Sequence, residues 1–234
     1  MAKKDKVNSQ FIKEIEGLKP HGHICHIYST PEEWETAVTT FLITGLRQGE
    51  KCSYVADTHT ADHVRALLHE QGVDVASAEA SGQLVILHET EAYTRGGFFD
   101  PDRVISYVVS AVKASIAEGY HATRGVGEMG WVLRSYPGSN RFVEYEAKLN
   151  RDLFSKYPVT GICQYEWQRF GLPLLLNVIC THPTIMVGKK IYDNPYYIPA
   201  ADFLTHGHSL ADLQHWLEAL GKLKEGEDKE AQHQ

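Results

Sequence analysis

The chain has 234 residues, a net charge of −7, and 43% hydrophobic against 23% charged residues, the balance of a protein that folds around a real core. Its excess negative charge repels phosphate backbones and anionic lipid, which argues against direct binding to nucleic acid or to a membrane surface. No apolar run approaches the roughly 18 residues of a bilayer span, and Met1-Ala2-Lys3-Lys4 leads into no signal-peptide core, so a cytoplasmic location is expected, with Cys25, Cys52, Cys163 and Cys180 as free thiols.

In chain order, residues 1–20 read as an N-terminal extension with a short amphipathic stretch at 11–18. A strand at 24–28 runs into a helix at 31–47, which opens on Thr30-Pro31-Glu32-Glu33: a capping hydroxyl, a proline at the first helical position and acids in the first turn. A strand at 52–56, a helix at 60–71 and a strand at 84–88 follow. Next comes the glycine-hinged aromatic segment Glu91-Ala92-Tyr93-Thr94-Arg95-Gly96-Gly97-Phe98-Phe99, placed where α/β proteins carry ligand-covering loops. Asp100-Pro101-Asp102 starts a helix at 101–118, and strands at 125–129, 159–165 and 184–187 alternate with helices at 139–154 and 173–181.

This alternation predicts an α/β fold with a mainly parallel central sheet and helices on both faces, because parallel strands need crossovers and doubly covered strands are continuously apolar. The domain is expected to span 21–204. Residues 205–234 form a C-terminal helix and polar tail in which Leu210, Leu213, Leu217 and Leu220 make a narrow seam. That seam suits a partner helix, hence a homodimer, or packing back on its own domain.

A nucleotide-binding α/β protein would carry glycines and a lysine at its first strand-to-helix turn. Here the turn after His23-Ile24-Cys25-His26-Ile27-Tyr28 holds a proline and two acids, and neither phosphate-binding motif occurs in strand-turn-helix context. Along that strand His23 and Cys25 share one face while Ile24, His26 and Tyr28 share the other. His23 and Cys25, joined by Cys163 and His182, are candidate ligands for a metal or haem, against the plainer reading of buried core residues.

Ligands of open α/β sheets sit beyond the carboxyl ends of the strands. That rule collects Tyr28, Ser29, Thr30, Asp57, His88, Glu89, Glu128, Met129, Trp131, Tyr165 and Glu166, an acidic and aromatic set that suits a small neutral or cationic organic ligand. Glu128, flanked by Gly127 and Gly130 across Met129, reads either as a ligand-binding carboxylate or as a buried group satisfying loop N–H donors. No nucleophile elbow, zinc-protease helix or Cys-His protease context appears, so a non-catalytic protein is expected.

The ordered series His23-Ile24-Cys25-His26-Ile27-Tyr28, Gly49-Glu50-Lys51-Cys52-Ser53-Tyr54-Val55-Ala56-Asp57, Phe99-Asp100-Pro101, Gly127-Glu128-Met129-Gly130-Trp131, Glu144-Tyr145-Glu146, Cys163-Gln164-Tyr165, Thr181-His182-Pro183 and Asn194-Pro195-Tyr196-Tyr197 closely resembles the MEDS domain, a sensory domain of methanogens, methylotrophs and a dichloromethane regulator. The resemblance implies a RecA- and KaiC-like core without a working phosphate loop, and a sensor of simple hydrocarbon or C1 derivatives. No helix-turn-helix pattern lies ahead of His21 and no kinase pattern behind Leu204, so signalling through a separate partner protein is expected, with no required cofactor. The alternatives are a metal, haem or redox sensor built on the first strand, and a residual nucleotide binder.

Overall fold

The computed structural model describes residues 2–206. The leucine seam expected from Leu210 to Leu220 lies outside them. Seven strands form one sheet in the order β3-β2-β4-β5-β1-β6-β7. They are β1 (Gly22–Tyr28), β2 (Lys51–Ala56), β3 (Leu84–His88), β4 (Thr123–Glu128), β5 (Val159–Glu166), β6 (Thr184–Val187) and β7 (Lys190–Asp193), and every neighbouring pair is parallel except β6 with β7. The expected mainly parallel sheet covered on both faces is thus present. β7 was not expected. It follows from the two-residue turn Gly188-Lys189, where Gly188 has φ +55°.

One face is covered by α1 (Ala2–Glu16), α2 (Pro31–Arg47), α3 (Ala61–Glu70) and α4 (Val75–Ala80), whose Phe11, Ile15, Trp34, Phe41, Leu68 and Val75 join Ile24 and Tyr54 of the sheet in one core. The other is covered by α6 (Pro101–Ala117), α7 (Phe142–Leu149) and α8 (Leu172–Thr181), which bury Val104, Val112, Tyr145, Leu149 and Val178 against Cys25 and Cys163. The short α5 (Glu89–Ala92) follows β3, and α9 (Ala200–His206) ends the described chain. The helix starts read from sequence are capped as expected. Thr30 Oγ1 accepts from Glu33 N–H at 3.3 Å, and Asp100 Oδ1 from Arg103 N–H at 2.8 Å.

The helix expected over 139–154 is present and changes its winding along its length: a 3-10 turn at Ser139–Arg141, α7, and a π-helical turn at Asn150–Phe154. In the π turn the Asn150 carbonyl accepts from Ser155 N–H at 3.1 Å, and its side chain reaches across to other elements. Its Nδ2 donates to the carbonyls of Glu146 at 3.3 Å and Thr181 at 2.7 Å, while Oδ1 lies 3.0 Å from His23 Nδ1.

The parallel register stacks two rows of residues on the α6 face. One row is Val85, Ser53, Gly125, Gly161 and His23; the next is Leu87, Val55, Gly127, Cys163 and Cys25. Glycine therefore stands at three adjacent floor positions where the flanking strands carry side chains.

On the opposite face Arg124 is fully buried, paired with Glu50, bonded to Gln48 Oε1 at 3.0 Å and lying over the Phe41 ring at 4.9 Å. Removing one partner of such a pair strands the other charge without water. Glu50→Ala is expected to lower stability by about 3–5 kcal/mol, seen as a reduced urea midpoint at unchanged slope. A loss below about 1 kcal/mol would mean that the guanidinium reaches water some other way.

Candidate functional site

Between the glycine-floored sheet and α6 lies a cavity of about 200 Å³. Val104, Val108 and Val112 of α6 form its roof, Leu149 and Leu153 one side, and Val55 and Leu87 the other. Gly125 is open here, because a Cβ would meet only Ser53 Oγ, at 3.4 Å. Gly161 instead makes room for the Phe154 ring, which would lie 2.7 Å from a Cβ. Gly127 admits Tyr93, whose hydroxyl rests against the strand backbone. Burial holds the phenols of Tyr93 and Tyr145, both in the cavity wall, well above their usual pKa, so they stay protonated donors.

Cys163 lines one end of the cavity and belongs also to a polar cluster beneath it. Its Sγ lies 3.5 Å from both His23 Nε2 and Glu146 Oε2; Glu146 Oε2 is 3.2 Å from His23 Nε2 and 3.4 Å from His182 Nε2. Tyr165 donates to Glu146 Oε1 at 2.9 Å. β1, β5, α7 and the end of α8 thus each send a group to one point. Burial lowers the pKa of His23 to about 3 and that of His182 to about 3, raises Glu146, and raises the Cys163 thiol strongly, the last also through the neighbouring carboxylate.

Of the residues read from sequence, His23, Cys163, Tyr165 and His182 meet here, with Cys25 beside Cys163 on the adjoining strand but outside the ring of four donors. Glu146, at the centre, was not expected as a site residue. Its only signal is the Glu144-Tyr145-Glu146 motif, whose other glutamate is partly exposed and pairs with Arg141 and Lys148.

The remaining expectations fall elsewhere. His26 and Tyr28 occupy the opposite face of β1, where Gln164 Nε2 meets His26 Nδ1 at 3.2 Å. Ser29 and Thr30 are used in capping, and the Ser29 N–H and hydroxyl both donate to Glu33 Oε2, at 2.8 and 3.1 Å. A carboxylate of the chain itself thus fills the turn that would cradle phosphate.

Glu128 is buried and occupied on all sides: it accepts from Tyr54 Oη, from the N–H groups of Asp57, Thr58 and His59, and lies 3.1 Å from His59 Nδ1. Of the two readings of Glu128, these contacts match the buried group that satisfies loop N–H donors. Asp57, whose pKa burial raises, pairs with Arg134, which also reaches Glu89. Trp131 is wholly buried among Tyr93, Phe99 and Phe142, ring centroids 5.3, 4.7 and 5.6 Å away, and with Phe99 pins the end of the 91–99 segment.

A family model for the methanogen/methylotroph, DcmR sensory domain (MEDS) matches residues 22–183. The chain belongs to the MEDS family. A curated relative, the transcriptional repressor DcmR of Methylorubrum extorquens, is 28% identical over 162 residues, which are 69% of this chain and 58% of that protein. The chain therefore spans well under two thirds of the relative's length. Among solved structures, a KaiC-like protein of the hyperthermophilic archaeon Pyrococcus horikoshii OT3 matches with TM-score 0.53 and 18% identity over 72% of this chain and 71% of its own, which establishes a RecA-like fold. This MEDS domain is a sensory domain on that scaffold, and no helix among its described residues is long and apolar enough to cross a membrane.

Two outcomes follow. Glu128→Gln should cost about 1–3 kcal/mol in chemical denaturation, since an amide offers one oxygen to donors that now share two. A variant as stable as the parent would return Glu128 to the list of ligand groups. Calorimetry with ATP and magnesium should give no binding at micromolar concentrations, because Glu33 opposes phosphate at the β1–α2 turn; a low-micromolar complex would contradict this.

Proposed function

We propose that this MEDS domain is a non-catalytic sensor that takes a small, mainly apolar organic molecule, of the size of a halomethane or benzene, into the cavity between the sheet and α6, and passes its occupancy to a separate regulatory partner. The observation that carries the reading is the open floor at Gly125, a strand position without a side chain that faces a helix whose valines leave about 200 Å³ unfilled, while Tyr93 and Phe154 occupy the places at Gly127 and Gly161. Close packing is the norm in interiors, and an apolar cavity of about 150 Å³ suffices to hold benzene or xenon. Ligand sites commonly combine such apolar walls with a few polar groups, here Tyr93, Tyr145 and Cys163. The kinship with a transcriptional repressor supports a regulatory output. This reading moves the ligand from the carboxyl edge, where Glu33 and Glu128 are already engaged, to the sheet face.

Signalling would pass through the wall segment after β3 rather than the floor. β4 and β5 are held by ladders on both sides, whereas the segment after β3 carries Ala92 and Tyr93 to the cavity wall and then turns at Gly96 and Gly97, with φ of +84° and +82°. A ligand pressing on Tyr93 would therefore displace this exposed turn before it displaced the sheet.

Ligand size bounds affinity. At a ceiling of about 1.5 kcal/mol per heavy atom, a three-atom halomethane gains at most about 4–5 kcal/mol, a dissociation constant near 1 mM or slightly below. Thermal unfolding with millimolar dichloromethane or benzene is expected to raise the melting temperature of the parent. Gly125→Val, which places a strand-compatible side chain in the open floor, should remove that gain while leaving the fold intact. An equal gain in the variant, or none in the parent at saturating probe, would contradict the assignment.

A further inference from the structure

We propose that His23 Nε2, His182 Nε2, Glu146 Oε2 and Cys163 Sγ form a closed, four-coordinate site for a divalent cation of the zinc class.

The tautomers are set by neighbours. Asn150 spends its amide hydrogens on two carbonyls, so its Oδ1 can only accept, and His23 Nδ1 must carry the proton between them. His182 Nδ1 lies 2.6 Å from the Val178 carbonyl, which likewise only accepts. Both imidazoles therefore present bare Nε2 lone pairs to the cluster. His182 Nε2 is buried without a hydrogen-bond partner. Around a ligating histidine, a carbonyl or amide oxygen on the far ring nitrogen is the usual second contact, fixing ring and tautomer.

The donor spacing fits. Bonds of about 2.0–2.3 Å from zinc to nitrogen, oxygen and sulfur place neighbouring corners of a tetrahedron roughly 3.3–3.8 Å apart. Four of the six separations, 3.2, 3.4, 3.5 and 3.5 Å, lie at about that edge length, and the other two, from His182 Nε2 to His23 Nε2 and to Cys163 Sγ, are within 4.8 Å, so the site closes by a small inward shift of the His182 ring. Charge also fits. A thiolate and a carboxylate cancel a divalent ion, giving a neutral unit in a place with no solvent, whereas without the ion two protons must be shared among four lone-pair donors. Two imidazoles, a thiolate and a carboxylate are a borderline-soft set that suits zinc and excludes calcium and magnesium.

With four protein ligands the ion keeps no open position, so it would tie β1, β5, α7 and the end of α8 together rather than activate water. The cluster differs from the set read along the first strand by one residue, with Glu146 in place of Cys25.

The test uses the untagged full chain. Elemental analysis after purification without chelator should give roughly one zinc per chain, and cobalt loading should give tetrahedral d–d bands together with a thiolate-to-cobalt charge-transfer band. Cys163→Ser should lose the charge-transfer band, and Cys25→Ser should keep it. Should Cys163→Ser fail to fold, the folded parent still decides: no zinc retained and no charge-transfer band after loading would overturn the proposal, leaving a protonated glutamic acid and thiol as the content of the cluster. Loss of the band in Cys25→Ser with retention in Cys163→Ser would overturn the ligand set.

Discussion

A carboxylate with no access to water, Glu146, organises one half of this protein. It is surrounded by two imidazoles, a thiol and a phenol from β1, β5 and the end of α8, and it reaches them from α7. A buried acid is tolerated only where neighbours satisfy it. The elements that provide those neighbours are therefore held in one arrangement, down to the π turn that brings Asn150 beneath His23. The same arrangement fixes Cys163 at the end of the apolar cavity, so the polar cluster and the cavity share a wall.

The carboxyl edge of the sheet, where nucleotide-binding relatives of this architecture hold their ligands, has been closed by the chain's own acids. Glu33 accepts from Ser29 at the first turn, and Glu128 gathers the N–H groups that follow β2. Each carboxylate occupies donors that an anionic ligand would otherwise use. With the edge satisfied internally, the apolar cavity beneath α6 lies on the face of the sheet. Its origin is local: Gly125 leaves the floor open beside Gly161 and Gly127, whose own places Phe154 and Tyr93 take.

Much of this was legible in sequence. The strands at 24–28, 52–56, 84–88 and 159–165 announce themselves as apolar runs bounded by turn residues, and the caps at Thr30 and Asp100 follow from local chemistry. Alternation along β1 correctly separates His23 and Cys25 from His26 and Tyr28. Four things were not legible. β7 depends on pairing with β6 rather than on its own pattern, which is partly exposed and charged. The π winding at the end of the 139–154 helix accompanies a tertiary contact of Asn150, invisible to periodicity. Glu146 looks in sequence like any helical glutamate, and only the fold reveals that its face of α7 points at two histidines. The cavity was missed for a related reason, since glycine in a strand reads as weakness until neighbouring strands are aligned and two rows of missing side chains coincide.

The central claim is that the ligand of this sensor enters the glycine-floored cavity and not the carboxyl edge. Crystals of the chain pressurised with xenon test it most directly, because the gas seeks dry apolar space and is located by its anomalous scattering. The account predicts a xenon site between Gly125, Val108 and Leu149, close to Cys163. Xenon found only beside Glu128 and Tyr28, with the cavity beneath α6 closed by side chains, would contradict it.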